Sequence, residues 1–117
     1  MPIVTYRQFE VVRVPFPFTD RDSVKNRPAL VISASKPFNT PAGHSVMAMI
    51  TSADNNPWPL DCPLNDLKSA GLSAASVIRC KLFTLDHRLV RGSLGKLGTK
   101  DQAAIRVLLE QLLDIAK

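Results

Sequence analysis

Residues 9–14, 29–32, 46–51 and 77–85 are runs of β-branched, aliphatic and aromatic side chains, each bounded by prolines, glycines or polar clusters. Runs of this length and composition predict strands. The first ends at Pro15, and Pro15-Phe16-Pro17-Phe18 is expected to leave the sheet, because a proline has no amide hydrogen to give to a ladder. Residues 19–26 then read as a polar loop. Pro28 opens the second strand, whose apolar run 29–32 suits a strand covered on both faces. Residues 36–43, with two prolines and a glycine, form a second loop, and 46–51 the third strand. A turn-rich stretch over 53–59 leads to a short edge strand within 60–64. Residues 64–71 predict a short helix closed by Gly71. The long strand 77–85 follows, then one turn over 86–89 and a brief return strand over 92–97.

The last segment changes period. Ile105, Leu108, Leu109, Leu112, Leu113 and Ala116 recur at the i, i+3, i+4 spacing of one helical face. Thr99, with Gln102 three residues later, has the form of a capping box. That helix would pack on the sheet or on a partner. Short strands punctuated by Gly and Pro and followed by one amphipathic helix predict a mainly β (α+β) chain, folded as a small antiparallel barrel or sandwich. A chain of 117 residues makes one domain, 1–117, able to bury a core without metal or disulfide.

Hydrophobic residues at 45% and charged residues at 21% exclude a disordered tail. The longest apolar runs, such as 29–32 and 46–50, are too short to cross a bilayer, so no membrane partner is expected. Two cysteines, Cys62 and Cys80, do not make a disulfide framework, and residues 1–7 lack the apolar core of a signal peptide. A reducing, cytoplasmic setting is expected. The alternation around Cys80 makes it a small half-buried side chain rather than a nucleophile.

The formal charge is +5, and Arg79, Lys81, Arg88, Arg91, Lys96 and Lys100 crowd a stretch where only Asp86 opposes them. Such a face either attracts polyanions or simply keeps the surface solvated. The five glycines form neither a phosphate-binding nor a dinucleotide loop. His44 and His87 stand apart, without metal-ligand spacing, and read as surface residues. Gly92-Ser93-Leu94-Gly95 is no nucleophile elbow. Neither a metal nor a cofactor is expected. The remaining arginine, threonine and serine groups, with a few carboxylates, suit cleavage of RNA through its own 2′-hydroxyl, where a protein positions the chain and stabilises charge at phosphorus. The planar, permanently charged fork of arginine fits that task.

Three blocks carry a family resemblance: Val11-Val12-Arg13-Val14-Pro15-Phe16-Pro17-Phe18-Thr19-Asp20 with Asn26-Arg27-Pro28-Ala29-Leu30-Val31-Ile32-Ser33, then Val46-Met47-Ala48-Met49-Ile50-Thr51-Ser52, then Ser76-Val77-Ile78-Arg79-Cys80-Lys81-Leu82-Phe83-Thr84-Leu85-Asp86. In this order, and followed by the C-terminal helix, they resemble the MazF/PemK/Kid toxins over residues 9–114. The resemblance implies a CcdB/PemK-like, SH3-type antiparallel β-barrel with appended helices, usually a homodimer. It implies a metal-independent, sequence-specific endoribonuclease (an mRNA interferase) acting on single-stranded RNA, and a cognate antitoxin whose acidic tail covers the RNA groove. An inactive module of the same fold, binding nucleic acid or a protein target as a gyrase poison does, is the alternative.

By the same resemblance Arg27 and Thr51 are the catalytic candidates. Arg27 would stabilise the phosphorane and take part in proton transfer; Thr51 would hold the scissile phosphate or the 2′-hydroxyl. Read on their own, Arg27 is a strand-start arginine able to pair with Asp20 or Asp22, and Thr51 a hydrogen-bonded strand end. Arg79 matches an arginine used catalytically in the Kid branch. That branch has an aspartate two residues later, where this chain has Lys81, which either contacts phosphate or is a solvated strand residue. Lys25 and Asn26, in a flap over 19–26, and Ser52 complete the RNA-binding candidates. Asp22 reads as a solvated loop residue. Trp58, between two prolines, either stacks on an unpaired base or packs on a loop or dimer surface.

Overall fold

The computed structural model describes residues 4–16 and 25–115. Its strands are β1 (Glu10–Phe16), β2 (Lys25–Val31), β3 (His44–Ser52), β4 (Cys62–Pro63), β5 (Ser76–Asp86) and β6 (Ser93–Lys96). They form one antiparallel sheet in the order β4-β5-β3-β2-β1-β6, curled into a half-barrel. Between them lie two short helices, α1 (Thr40–Ala42) and α2 (Leu67–Ala70), and the chain closes on the longer α3 (Thr99–Leu113). The mainly β fold with a C-terminal helix is as the sequence pattern predicts. Among the described residues no helix is long and apolar enough to cross a membrane.

Strand alternation splits the interior into two clusters, one on each sheet face. Val11, Leu30, Ala48, Ile50 and Ile78 face α3, where they meet Ile105 and Leu108. Val12, Val14, Ala29, Val31, Met47 and Leu85 form the second cluster, with Tyr6, Phe83 and Val90 packed against it. The helical face is buried at Ile105 and Leu108 but exposed at Leu113, and Ala116 lies outside the described residues.

Both prolines that were expected to bound strands lie inside them. β1 continues through Pro15 to Phe16. The amide of Arg13 donates to the Gly92 carbonyl at 2.8 Å, so the Pro15 nitrogen, two residues on, points the same way, beyond the β6 pairing, where no donor is needed. β2 starts at Lys25, three residues before Pro28, so Lys25 and Asn26 are strand residues and not part of a flap. Flap residues 19–24, Asp20 and Asp22 included, lie outside the described residues. The edge strand expected within 60–64 shortens to Cys62–Pro63.

The ladders carry two irregularities. Met49 pairs with Arg79 and Ala48 with Leu82, leaving Cys80 and Lys81 as two extra residues on β5. Leu94 is an extra residue on β6 in the same way. Gly71 closes α2 in the left-handed region, φ 75°, and a Cβ there would lie 2.0 Å from the Leu94 carbonyl oxygen. Only glycine seats α2 against the β6 bulge.

The N-cap of α3 is Gly98, not Thr99, and the Gln102 side chain donates to the Leu97 carbonyl at 2.8 Å in place of a capping box. Buried Asp101 locks the first turn of α3 to the chain before α2, accepting from the amide of Asn65 at 3.0 Å, its Nδ2 at 3.2 Å and the amide of Asp66 at 2.9 Å. The expected loop 36–43 is instead a π-helical turn, Ser35–Asn39, running into α1. Its fully buried Asn39 donates to the carbonyls of Tyr6 at 2.8 Å and Ser33 at 2.9 Å. His87 is buried rather than on the surface. Its Nε2 lies 2.7 Å from the Ser45 hydroxyl and its Nδ1 3.0 Å from the Val4 carbonyl. These two hubs fasten the N-terminal segment to the second cluster's side of the sheet.

Candidate nucleic-acid interface

The last rung between β2 and β3 joins Ala29 to Met49. One residue further along β2 stands Pro28. Its nitrogen points toward β3, as does that of Ile32, which donates to Val46 at 2.9 Å. With no hydrogen to give, Pro28 ends the ladder, and the strands part. Arg27 and Thr51 are each two residues past that rung, so both keep the facing of Ala29 and Met49. Val14 pairs with Arg27, and Phe16 shares the facing of Val14. The second core cluster therefore opens at this end into a shallow cleft of about 110 Å³ lined by Phe16, Arg27, Met49, Ile50, Thr51, Arg79 and Lys81.

Arg27 is exposed, and no carboxylate among the described residues pairs with it. Its guanidinium carries five N–H donors. The Thr51 hydroxyl accepts a hydrogen bond from Asn55 Nδ2, which leaves its own hydrogen to donate elsewhere. Among the described residues the charged groups that line the cleft are Arg27, Arg79 and Lys81, all cationic. Such a set is suited to binding and stabilising an anion.

Arg79 is held, not free. Its Nε donates to Asp61 Oδ1 at 3.1 Å, its Nη2 to Asp61 Oδ2 at 3.0 Å and to the Asn56 carbonyl at 2.8 Å. The hydrogen bonds from Arg79 hold the Asp61 carboxyl below the usual carboxylate range, and the same pairing raises Arg79 further. The carboxylate beside Arg79 is that of Asp61, from the loop before β4. Asp61 was invisible in the sequence because the loop's path, not spacing, brings it eighteen residues back onto β5.

Lys81, pushed out by the bulge, has its Nζ 4.6 Å from the centre of the Trp58 ring; the Arg79 guanidinium lies 5.9 Å from it. The other candidates sit elsewhere. Lys25 is exposed near the end of β2, on the facing of Arg27. Asn26 turns to the opposite facing and accepts from Arg91 Nη1 at 2.9 Å. Ser52 Oγ accepts from the amide of Asp54 at 3.2 Å, a contact within its own turn. Cys62 and Cys80 are free thiols, both pushed up by burial and thus poor nucleophiles. Among the described residues no group of three or more His, Cys, Asp or Glu side chains gathers to hold a metal.

A family model described as a PemK-like, MazF-like toxin of type II toxin-antitoxin systems matches residues 7–113. Among solved structures, a MazE–MazF complex from Deinococcus radiodurans aligns at TM-score 0.74 and 21% identity, covering 97% of this chain and all (100%) of that one. An endoribonuclease in complex with its cognate antitoxin, from a mycobacterial species, aligns at 0.74 and 15%, covering 96% and 98% of the two chains. The Mycobacterium tuberculosis toxin MazF-mt6 aligns at 0.69 and 18%, covering 92% and 99%. At these identities the structural likeness speaks for the fold. No curated protein matches the chain significantly.

Proposed function

The chain belongs to the PemK-like, MazF-like toxins of type II toxin-antitoxin systems, and we propose that it is a metal-independent endoribonuclease cutting single-stranded RNA at short sequences. The observation that carries this reading is the cleft where β2 and β3 part, with Arg27 and Thr51 as donors on its two lips and cations around it. In the reaction the 2′-oxygen bonds to phosphorus and the bond from phosphorus to the 5′-oxygen breaks. The products are a 2′,3′-cyclic phosphate and a 5′-hydroxyl.

Arg27 donates to the non-bridging oxygens of the phosphorane, whose charge exceeds that of the ground-state diester, so its contact strengthens toward the transition state. Thr51 donates its free hydroxyl hydrogen to the same phosphate and fixes its position. The proton leaving the 2′-hydroxyl passes to solvent or through Arg27, and the 5′-oxygen regains one by the same routes. DNA lacks the nucleophile and would not be cut. The chain works as a homodimer, and a separate antitoxin with an acidic tail covers the basic groove.

The test is incubation of antitoxin-free protein with a long, weakly structured RNA in EDTA, followed by mapping of the new ends. Discrete cuts bearing 5′-hydroxyls, lost in Arg27→Ala, are expected. An absence of cuts from folded protein across a long, diverse RNA would overturn the reading.

A further inference from the structure

The loop before β4 places an exposed aromatic ring beside the cleft on a mount stiffer than its surface position requires. Trp58 is 43% exposed. Pro57 and Pro59 flank it, restricting the backbone on both sides. Its amide donates to Asp61 Oδ2 at 3.0 Å, and its carbonyl accepts from the Asp61 amide at 3.1 Å. Asp61 is in turn gripped by Arg79, which also holds the Asn56 carbonyl. The loop is therefore closed on itself by a single arginine rooted in β5.

The ring adjoins the cleft through Lys81, which lines the cleft and also lies over the ring. Lysine over an aromatic face with a phosphate site alongside is the arrangement that single-strand binding exploits: a base stacks on the ring while the cation takes the neighbouring phosphate. Arg79 has two of its nitrogens committed to the loop, so its fork does not offer a phosphate the two parallel bonds of a free guanidinium.

From this we infer that Trp58 is a stacking platform for an unpaired nucleobase of the RNA bound in the cleft, and that Asp61 and Arg79 are positioning residues that hold it there. The inference rests on the ribonuclease reading above. Lys81 leaves the ring for the phosphate when the base arrives. Stacking recognises any base face, so the subsite contributes affinity and register more than sequence choice.

Trp58 is the only tryptophan in the chain, so its emission reports this subsite alone. The experiment titrates the full-length protein with a dye-labelled, randomised, fully 2′-O-methylated single-stranded RNA, which cannot be cut. Anisotropy of the dye reads binding, and tryptophan emission reads stacking. Emission should be quenched in step with the anisotropy rise. Trp58→Leu should weaken binding about tenfold, Trp58→Phe should keep most of it, and Asp61→Asn should lose much of the quench with Trp58 still present. Circular dichroism confirms that each variant is folded. An anisotropy rise with unchanged emission, and Trp58→Leu binding like the wild type, would overturn the subsite while leaving the ribonuclease reading intact. No anisotropy rise with any RNA would overturn both.

Discussion

Arg27 and Thr51 would be directly opposite one another if the ladder between β2 and β3 continued two residues beyond Ala29 and Met49, and Pro28 stops it short of them. The same proline that ends the hydrogen bonding thus opens the space between the two side chains. An anion seated there meets donors from both strands without having to displace a ladder bond. The rest of each strand, buried in the core, fixes the separation.

Arg27→Ala should lower the cleavage rate by roughly 10²–10³-fold, the scale for removing one preorganised donor from a charged transition state. Arg27 is exposed and pairs with no described carboxylate, so the thermal midpoint should stay within about one degree of wild type. Arg27→Lys should rescue little, because an ammonium cannot reproduce the planar fork. Single-turnover rates with a short RNA substrate, read beside thermal melts, check both halves.

Thr51→Val keeps the β-branched shape that suits the end of β3 and removes only the hydroxyl. It should slow cleavage about tenfold or more, the range for one lost hydrogen bond to a charged group, while Thr51→Ser should stay near wild type. If both side chains hold one phosphate, the double variant with Arg27→Ala will be less impaired than the product of the single effects. A product equal to the singles would separate the two roles.

Lys81 differs from Arg79 in having no ion-pair partner of its own among the described residues; its Nζ lies over the Trp58 ring. A lysine that neutralises one phosphate releases the counterions of that phosphate. Lys81→Ala should therefore lower the slope of log binding constant against log salt by about 0.7. The slope is measured by titrating uncleavable RNA at several potassium chloride concentrations. A variant of equal slope would make Lys81 a solvated strand residue.

The strands that carry the cleft were legible because their burial is written as alternating or continuous apolar runs: 29–32 falls on β2 but for Ile32, one residue past its end, and 46–51 lies inside β3. The prolines misled for a physical reason. A missing donor disqualifies a residue only on the side where a partner strand lies, and the sequence does not say which side that is. Asn39, His87 and Asp101 were missed similarly, since polar residues become core only when carbonyls or amides from distant segments converge on them. The Arg79–Asp61 pair depends on the path of an irregular loop and leaves no spacing to read.

Acidity should act on that loop only at low pH. Hydrogen bonding from Arg79 depresses the Asp61 pKa in the folded state. A depressed carboxyl contributes stability that is full above the ordinary value of about 3.9 and is lost as pH falls through the lower, folded value. Trp58 emission in the free protein should therefore be constant from neutral pH down to about 5 and shift only below about 4. A transition centred between pH 5 and 7 would mean that another group governs the loop.

The strongest stability effect outside the cleft should come from Asp101. Its carboxylate is 1% exposed and answers two backbone amides, those of Asn65 and Asp66, at the start of α2. Asp101→Ala removes the shared acceptor of both amides, at a cost of about 1–3 kcal/mol. Asp101→Asn keeps one acceptor oxygen and should fall between the two. The first turn of α3 would loosen from the segment before α2, while Ile105 and Leu108 still hold the helix against the sheet. The cleft lies at the parting of β2 and β3 and no residue of α3 lines it, so both variants should cut RNA at wild-type rates well below their melting points. Urea unfolding of the three proteins gives the stabilities. A large loss of cleavage at low temperature in Asp101→Asn would show that α3 anchoring reaches the site.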